Sequence, residues 1–242
     1  MAVVVLAAVA AAVAYGVVAR PFAGARRGRG TTEAPTTTRS VPRTTVPSTT
    51  TTSVPPTTLA PTATTGPGTL PQTDAFPSSS TSQFQAEMAA LWQGVVTGHA
   101  TPAMPAFFPE SAYAQLKSLP DPRADWEERL VRDFGLDVSA AHAVLGGAAD
   151  SAKLVAVDVP SGYGHWVPAG VCSNSIGYYE LPNARVVYDL DGSTRSFGIA
   201  SMISWRGEWY VVHLGAILRS TTGGVVDDPA TGPGASAPSS TC

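Results

Sequence analysis

The sequence predicts one α+β domain, in which helices come first and an antiparallel sheet follows. From residue 83 to residue 145, apolar side chains recur at the three- and four-residue spacing of amphipathic helices. From residue 152 onwards they alternate as they do in strands, and Asp-Gly and Arg-Gly pairs between the segments indicate tight turns. Helices followed by a meander are typical of a fold whose helices pack on one face of the sheet.

Four helical segments are predicted, and their starts are marked by Ser82, Thr101, Ser111 and Asp121. Ser82 and Gln85 have the S-x-x-Q spacing of a capping box, and Gly98 is a natural end for the first helix. We expect the last helix to continue past a kink near Gly135 and to end at Leu145.

Five strands are predicted, at 152–159, 173–180, 184–190, 194–205 and 208–215. Asp-Gly at 191–192 is a strong signal for a two-residue hairpin. Arg-Gly at 206–207 is a weaker signal, because arginine disfavours a positive φ. Pro-Asn at 182–183 predicts a turn between the second and third strands.

The last hairpin assigns the two faces of the sheet. With a loop at 206–207, the predicted cross-strand pairs are Ser204 with Trp209, Met202 with Val211, and Ala200 with His213. One face is then strongly apolar and is predicted to lie under the helices; it holds Val186, Tyr188, Phe197, Ile199, Ile203, Trp205, Tyr210, Val212 and Leu214. The opposite face, predicted to be solvent-exposed or a partner surface, holds Arg185, Asp189, Ser196, Met202, Trp209 and His213. A bulge at Gly198 would exchange the faces upstream.

This order of elements resembles the NTF2-like (SnoaL-like) and cystatin-like folds, in which helices sit in the concavity of a curved antiparallel sheet. The segment WRGEWYVVHL at 205–214 is similar to the final strands of exported domains in actinobacterial membrane-anchored proteins that carry a Thr/Pro-rich linker. The resemblance covers residues 83–219. It implies a fold that hosts enzymes and binding proteins alike, so function has to be argued from the site.

Residues 1–19, MAVVVLAAVAAAVAYGVVA, predict a retained transmembrane helix that acts as a signal anchor. Nineteen uncharged residues span roughly 28 Å as a helix, close to the ~30 Å hydrocarbon core of a bilayer. A cleaved signal peptide is the alternative, but it would normally have a basic start and a shorter apolar run. The basic cluster after the helix, from Arg20 to Arg29, favours a cytoplasmic C-terminal side. The composition downstream favours export instead, and a start codon further upstream would reconcile the two.

Low-complexity segments flank the predicted domain. Residues 20–82 form a basic juxtamembrane segment and then a Thr/Pro-rich linker, which we expect to be disordered because it has few large apolar residues to bury. Residues 220–242 are predicted to be a disordered tail. The N-terminal residues 1–82 carry six arginines against two acidic residues, so the remainder of a chain with net charge −3 carries −7. An acidic domain is a poor match to phosphate backbones, and nucleic acid is excluded as a partner.

The segment 161–180, SGYGHWVPAGVCSNSIGYYE, has the composition of a recognition loop, because aromatic and polar side chains stand among glycines. The candidate recognition residues are Tyr163, His165, Trp166, Asn174, Tyr178 and Tyr179. The alternative is a long loop whose aromatic residues cover one end of the sheet. In an exported protein, the two cysteines, Cys172 and Cys242, are expected to form a disulfide; otherwise Cys242 is a free thiol.

No motif predicts a catalytic, cofactor-binding or metal-binding site, and no cofactor is expected. A Cys172–His165 nucleophile has no orienting third group, and the histidines, His142, His165 and His213 among them, lack metal-ligand spacing. The function that we expect is a binding or scaffolding module in the cell envelope, whose partner is an envelope protein or a cell-wall component. The alternative is a SnoaL-like isomerase, cyclase or hydrolase with a pocket in the cone of the sheet. That enzyme would need a buried carboxylate or histidine, for which Asp158 and Asp189 are the candidates.

Overall fold

The computed structural model describes residues 72–215 and 222–236, and it places helices before strands as predicted. The helices are α1 (Ser82–Thr97), α2 (Ala100–Ala103), α3 (Glu110–Leu116), α4 (Pro122–Asp125) and α5 (Arg132–Leu145). A π-helical turn, Trp126–Val131, joins α4 to α5, and short 3-10 turns lie at Met104–Ala106, Gly146–Ser151 and Ser161–Tyr163. The strands are β1 (Lys153–Asp158), β2 (His165–Val167), β3 (Tyr178–Leu190), β4 (Ser193–Trp205), β5 (Glu208–His213) and β6 (Asp227–Thr231). The α+β prediction is confirmed.

All six strands belong to one antiparallel sheet built around the long pair β3 and β4. On one side, β1 pairs with the second half of β3 and β2 with its first residues. On the other side, β5 pairs with the second half of β4 and β6 with its first half. The two long strands therefore form the centre of the sheet, and the four shorter strands form its margins.

Two predicted hairpins are confirmed, and one predicted turn is wrong. Asp191 and Arg206 both have a φ of 52° and each is followed by a glycine with positive φ, as the short hairpin loops require. Pro182 and Asn183 do not form a turn, because β3 runs through them while its pairing with β4 stays in register from Glu180 to Leu190. The pairing also continues through Gly198, so no bulge between β3 and β4 occurs there.

The helix ends differ in detail from the prediction. The N-cap of α1 is Thr81, whose hydroxyl oxygen accepts the N–H of Phe84 at 3.0 Å, so the predicted capping box at Ser82 is wrong by one residue. Gly98 ends α1 with a φ of 72°, as expected. The helix α5 continues through Gly135, and the irregularity predicted there lies earlier, in the π-helical turn.

The helices cover the face of the sheet that was predicted to be apolar. Phe108 packs edge-on against Trp205 and Tyr210, with ring centroids 6.2 and 6.0 Å apart. At the other end of this face, Trp92 of α1 packs against Tyr188 at 5.3 Å. Trp205 and Tyr210 are each 1 % exposed, and the burial of such large rings is a major part of the free energy of folding.

The opposite face is also covered, which corrects the prediction that it is exposed to solvent or to a partner. The ring of Phe76 lies 5.0 Å from that of Tyr179 and 5.1 Å from that of Trp209. The indole N–H of Trp209 donates to the carbonyl oxygen of Pro77 at 3.0 Å. Residues 72–81, which were assigned to the disordered linker, therefore pack on the domain.

The tail covers the rest of this second face. β6 lies inside the segment 220–242 that was predicted to be disordered, and the prediction is wrong for these residues. Arg185, which is 3 % exposed, donates to the carbonyl oxygen of Asp228 at 2.9 Å and to the hydroxyl oxygen of Ser196 at 2.7 Å. Gly234 passes directly over the guanidinium group, where a β-carbon would clash with it.

The predicted transmembrane helix at 1–19 and most of the predicted linker lie outside the described residues. Within the described ranges, 72–215 and 222–236, no helix is long and apolar enough to cross a bilayer.

Candidate functional site

A β-bulge near the end of β5 decides which residues face the helices. Ser204 lies opposite Trp209 and Met202 opposite Val211, as predicted, but His213 lies opposite Ser201 and not opposite Ala200. Val212 is the extra residue in β5. Because neighbouring residues on a strand point to opposite faces, this one-residue insertion moves His213 to the helix-covered face. The prediction that His213 lies on the other face is wrong.

A cavity of about 340 Å³ lies at this end of the helix-covered face. Its volume is in the range of pockets that hold small molecules. Side chains of α3, the π-helical turn, the loop after β2 and strands β3 to β5 line it: Phe108, Tyr113, Lys117, Arg129, Leu130, Cys172, Ser173, Tyr178, Glu180, Ser201, Ile203, Val212 and His213.

The floor of the cavity is the sheet, and its polar side chains are deeply buried. Glu180 is 3 % exposed, Ser201 4 % and His213 7 %. Tyr178 lies beside them, and burial raises the pKa of its phenol to about 12. The floor therefore presents a carboxylate, a hydroxyl group and an imidazole to the cavity.

A hydrogen-bonded triad forms one wall. Asp125 accepts from Arg129 through both of its oxygens, at 2.8 and 2.5 Å, and from the hydroxyl of Tyr113 at 2.5 Å. Arg129 also donates to the Tyr113 oxygen at 2.9 Å. The hydrogen bonds from Arg129 lower the pKa of Asp125, and burial raises the pKa of Tyr113. The charge of Arg129 is therefore largely matched by Asp125.

Lys117 stands at the mouth of the cavity, just after α3. Its ammonium group donates to the carbonyl oxygen of Cys172 at 3.0 Å. No ion pair within the described residues includes Lys117. Burial lowers the pKa of this lysine, and the nearby charge of Arg129 lowers it further.

The six candidate recognition residues are divided between the two faces of the sheet. β2 pairs with β3 so that His165 lies opposite Glu180 and Trp166 opposite Tyr179. His165 and Tyr178 consequently belong to the helix-covered side. Trp166 and Tyr179 belong to the opposite side, where their rings pack together at 5.1 Å. The segment 161–180 is therefore not one continuous recognition loop.

His165 lies beside Glu180 on the same face of the sheet, but it is not one of the residues that line the cavity. Its Nε2 atom is 3.3 Å from a carboxylate oxygen of Glu180, within ion-pair distance but without hydrogen-bond geometry. Its Nδ1 atom lies 3.2 Å from the carbonyl oxygen of Tyr163 and, because a carbonyl oxygen only accepts, Nδ1 carries the proton of that contact. The imidazole is thus oriented towards the buried carboxylate.

The remaining candidates contact other parts of the protein and do not form a recognition surface together. The Tyr163 hydroxyl donates to the carbonyl oxygen of Ser236 in the tail at 3.4 Å. Asn174 is 2 % exposed, and its backbone pairs with that of Lys117 as an isolated bridge. Cys172 is disulfide-bonded, so it offers no thiolate for catalysis with His165. Cys242 lies outside the described residues, and its pairing with Cys172 stays a prediction.

The other carboxylates and histidines considered from the sequence do not reach the cavity. Asp158 is exposed, and Asp189 accepts the N–H of Gly192 at 3.0 Å in the hairpin loop. His142 lies 3.0 Å from the carbonyl oxygen of Val95 near the end of α1. In the described part of the chain, no group of three or more His, Cys, Asp or Glu side chains has the arrangement of a metal site.

Sequence reasoning missed the ionisable residues of the cavity. Glu180 is the last residue of the segment 161–180 and was not among the candidates. Because neighbouring residues on a strand point to opposite faces, Glu180 and Tyr179 could have been assigned to different faces from the sequence. Lys117 and Arg129 lie in the helical half, far from the sheet in sequence. No local pattern places them above His213, since the bulge at Val212 that aims His213 at them is not signalled by a glycine or a proline.

Comparisons with protein-family profiles, with curated proteins and with solved structures each gave no significant match.

Proposed function

We propose that the domain is a small-molecule binding module and that its ligand occupies the cavity beside Glu180, Ser201 and His213. The observation that carries this proposal is the convergence of three buried polar side chains on a space that has apolar walls. Polar side chains that burial holds in place can direct hydrogen bonds towards a ligand. Apolar walls with a few fixed polar groups are the usual composition of a binding pocket.

We further propose an NTF2-like or cystatin-like fold for the domain. What supports it is the helical layer on one face of an antiparallel sheet, together with a cavity between the two layers at one end. The order of the elements and the ending of the final strands add the resemblance read from the sequence.

The proposed location is the cell envelope, with residues 1–19 as a single-pass anchor and the domain on the extracytoplasmic side. The apolar N-terminus supports the anchor. The disulfide bond of Cys172 supports the extracytoplasmic side, because disulfides persist mainly in oxidising compartments. The proposed partners are the cavity ligand and an envelope protein or cell-wall component; the acidic domain argues against nucleic acid.

An enzyme that uses the same cavity is the second candidate. Glu180 and His213 both line the cavity, and the Nε2 atom of His165 lies beside the Glu180 carboxylate at 3.3 Å. A buried carboxylate next to imidazole groups can take up and release a proton, as an isomerase or a hydrolase requires. Turnover of a ligand found in the cavity, and its loss in Glu180→Gln with binding retained, would favour the enzyme over the binding module.

The test is a screen of polar fragments by protein-observed NMR on the full chain in detergent micelles. The key variant is Ser201→Leu, which fills the floor of the cavity with an apolar side chain. Its matched control is Ser193→Leu, at the exposed start of the same strand. We expect fragments that shift the resonances of the cavity residues, and we expect Ser201→Leu to abolish these shifts while Ser193→Leu keeps them.

Two results would count against the proposed function. One is a screen in which no fragment shifts the cavity resonances. The other is a set of fragments whose binding Ser201→Leu leaves intact, because such fragments would occupy a different surface.

A further inference from the structure

Strand β1 lies at one edge of the sheet and pairs with β3 along one side. No other strand of the described residues pairs with its outer side. An unpaired strand edge presents a row of backbone N–H and C=O groups, which can hydrogen-bond to a further strand. Val155, in the middle of β1, is 62 % exposed. β1 therefore offers both backbone hydrogen bonds and apolar surface to a partner.

A β-bulge brings the two charged ends of β1 to the same face of the sheet. β1 and β3 pair in register except at Val155, the extra residue between Leu154 and Ala156. In a regular strand, two residues five positions apart point to opposite faces, and the inserted residue reverses this. Lys153 and Asp158, one at each end of β1, consequently share the second face, and both are exposed.

The charges of β1 suit a second copy of the same strand. Edge strands that avoid pairing commonly carry lysines, so that two copies repel each other. β1 carries one charge of each sign instead. When two copies run antiparallel about a two-fold axis, Lys153 lies opposite Asp158 of the second copy, and the same pair recurs at the other end. The exposed Val155 of each copy then lies beside the axis, at the centre of the strand pair.

This register also continues the alternation of charges across the sheet. Within one copy, Lys153 lies opposite Asp189 of β3, and Asp158 lies opposite Arg185. Across the four neighbouring strands of two copies, the order is Asp189, Lys153, and then Asp158 and Arg185 of the second copy. Neighbours in this row always have opposite signs, and opposite charges directly across a strand pair are stabilising.

We propose that two copies of the chain associate through β1, which joins their two six-stranded sheets into one antiparallel sheet. No residue of β1 lines the cavity, so this interface stands or falls independently of the proposed ligand binding. One strand pair is small for a specific protein–protein interface, so we expect the dimer to dissociate on dilution.

The first experiment tests the register by disulfide cross-linking of the full chain in detergent micelles. One preparation carries Lys153→Cys and the other carries Asp158→Cys. Side chains directly opposite each other on paired strands have β-carbons about 4.5–5.5 Å apart, near the distance that a disulfide needs. Mixing the two preparations under mild oxidation should therefore give a cross-linked dimer. Each preparation alone should give no more of it than the wild type, because identical positions lie roughly 15 Å apart in this register.

Two results of the cross-linking would overturn the proposal. One is a mixture that yields no cross-linked dimer. The other is equal cross-linking in the mixture and in the separate preparations, since that indicates collisions between chains without a defined register.

The second experiment measures the dissociation constant of the dimer by sedimentation of the full chain in detergent micelles. Val155→Asp should raise this constant by about tenfold, since it places like charges close together beside the axis. Val171→Asp is the matched control, because Val171 is also exposed, at 41 %, but lies in the loop after β2. The control should leave the constant unchanged. A dimer that Val155→Asp does not weaken forms through another surface and contradicts the proposal.

Charge reversal distinguishes pairing between copies from an effect on the stability of one copy. Lys153→Glu and Asp158→Lys should each weaken the dimer by about tenfold, because each places like charges opposite each other at both ends. The double variant restores opposite charges between copies and should recover most of the affinity. Within one copy it is less favourable than either single variant, since Asp189 and Arg185 then both face like charges. An affinity that stays low in the double variant would contradict the proposed register.

Discussion

The two faces of the sheet are both buried, but they are buried by different kinds of chain. Helices cover one face and leave a cavity of about 340 Å³ over its end. Extended segments, residues 72–81 and the tail with β6, cover the other face, and there Met202 and Trp209 are 0 % exposed. A rigid helix touches a twisted sheet along a limited stretch, whereas an extended segment can follow its curvature. The helical side is consequently the side with room for a ligand.

The two faces also differ in the surroundings of their buried polar side chains. On the helix-covered face, Glu180, Ser201 and His213 line the cavity. On the second face, Arg185 is held by Ser196 and by Asp228 of the tail. The polar groups of the second face thus hold the tail in place, whereas those of the helix-covered face surround the cavity.

The largest expected loss of stability comes from removing a buried tryptophan ring, and it tests whether the second face of the sheet is a core like the first. Trp209 on that face and Trp205 on the helix-covered face are both at most 1 % exposed. We expect Trp209→Ala and Trp205→Ala each to lower the free energy of unfolding by about 3–5 kcal/mol, as large-to-small changes in cores do. Urea denaturation of the full chain measures both. A loss below about 1 kcal/mol for Trp209→Ala alone would show that residues 72–81 cover a surface and not a core.

The predicted disulfide between Cys172 and Cys242 would link the helix-covered face to the tail on the second face. Cys172 lies at the mouth of the cavity, and Cys242 follows the tail that covers the second face. Peptide mapping without reductant should yield a Cys172–Cys242 pair. Cys172→Ser should lower the free energy of unfolding by about 2–4 kcal/mol, the usual range for a disulfide that closes a long loop. A Cys172 bonded to another molecule, or found as a thiol, would contradict the prediction.

The buried Glu87 should make the free energy of unfolding depend on pH. This side chain of α1 is 6 % exposed, and burial raises its pKa from 4.5 to about 7, with the charge of Glu208 as a smaller cause. The folded state therefore holds the Glu87 proton more tightly than the unfolded state does. The stabilisation is complete below pH 4.5 and is lost as the pH rises to about 7.

The measurement is the free energy of unfolding from pH 4 to pH 8 for the wild type and Glu87→Gln. The wild type should lose on the order of 2–3 kcal/mol relative to the variant across this range. Glu127→Gln, on an exposed position of the π-helical turn, is the control and should follow the wild type. Parallel curves for the wild type and Glu87→Gln would mean that the pKa of Glu87 is the same in the folded and unfolded states.

The smallest expected effect concerns the tail. Arg185→Met removes the hydrogen bonds to Ser196 and Asp228 but also removes a buried charge, so the free energy of unfolding should change by only about 1 kcal/mol. Hydrogen exchange of the β6 amides should nevertheless accelerate. Arg123→Met, at an exposed position on α4, is the control and should leave this exchange unchanged. Unchanged β6 exchange in Arg185→Met would show that backbone pairing alone holds the tail.

Local signals predicted the fold class and most of the elements. Gly98 ended a helix, and the two glycine-containing hairpins set the register of β3, β4 and β5 up to Val211. The same reasoning failed at Pro182, because pairing with β4 carried β3 through a sequence that favours a turn. It failed again for the tail, whose composition suits disorder but whose β6 is stabilised by pairing with β4.

The candidate site was predictable only in part. His165 and Tyr178 were identified, yet Trp166 and Tyr179 from the same segment face away from the cavity. Lys117, Arg129 and Glu180 carry no motif, and they become a site only because the helical layer ends over the floor of the sheet. His213 was considered from the sequence, but the face of the sheet on which its side chain lies is set by the single residue inserted at Val212.

The sequence by itself determined the order of helices and strands, the hairpin turns and the apolar face, because these follow from the spacing of neighbouring residues. Only the tertiary structure decided the position of the bulge at Val212, the covering of the second face and the meeting of Lys117 with Glu180 and His213. These depend on contacts between distant segments, and a shift of one residue in a strand reverses the direction of every side chain beyond it.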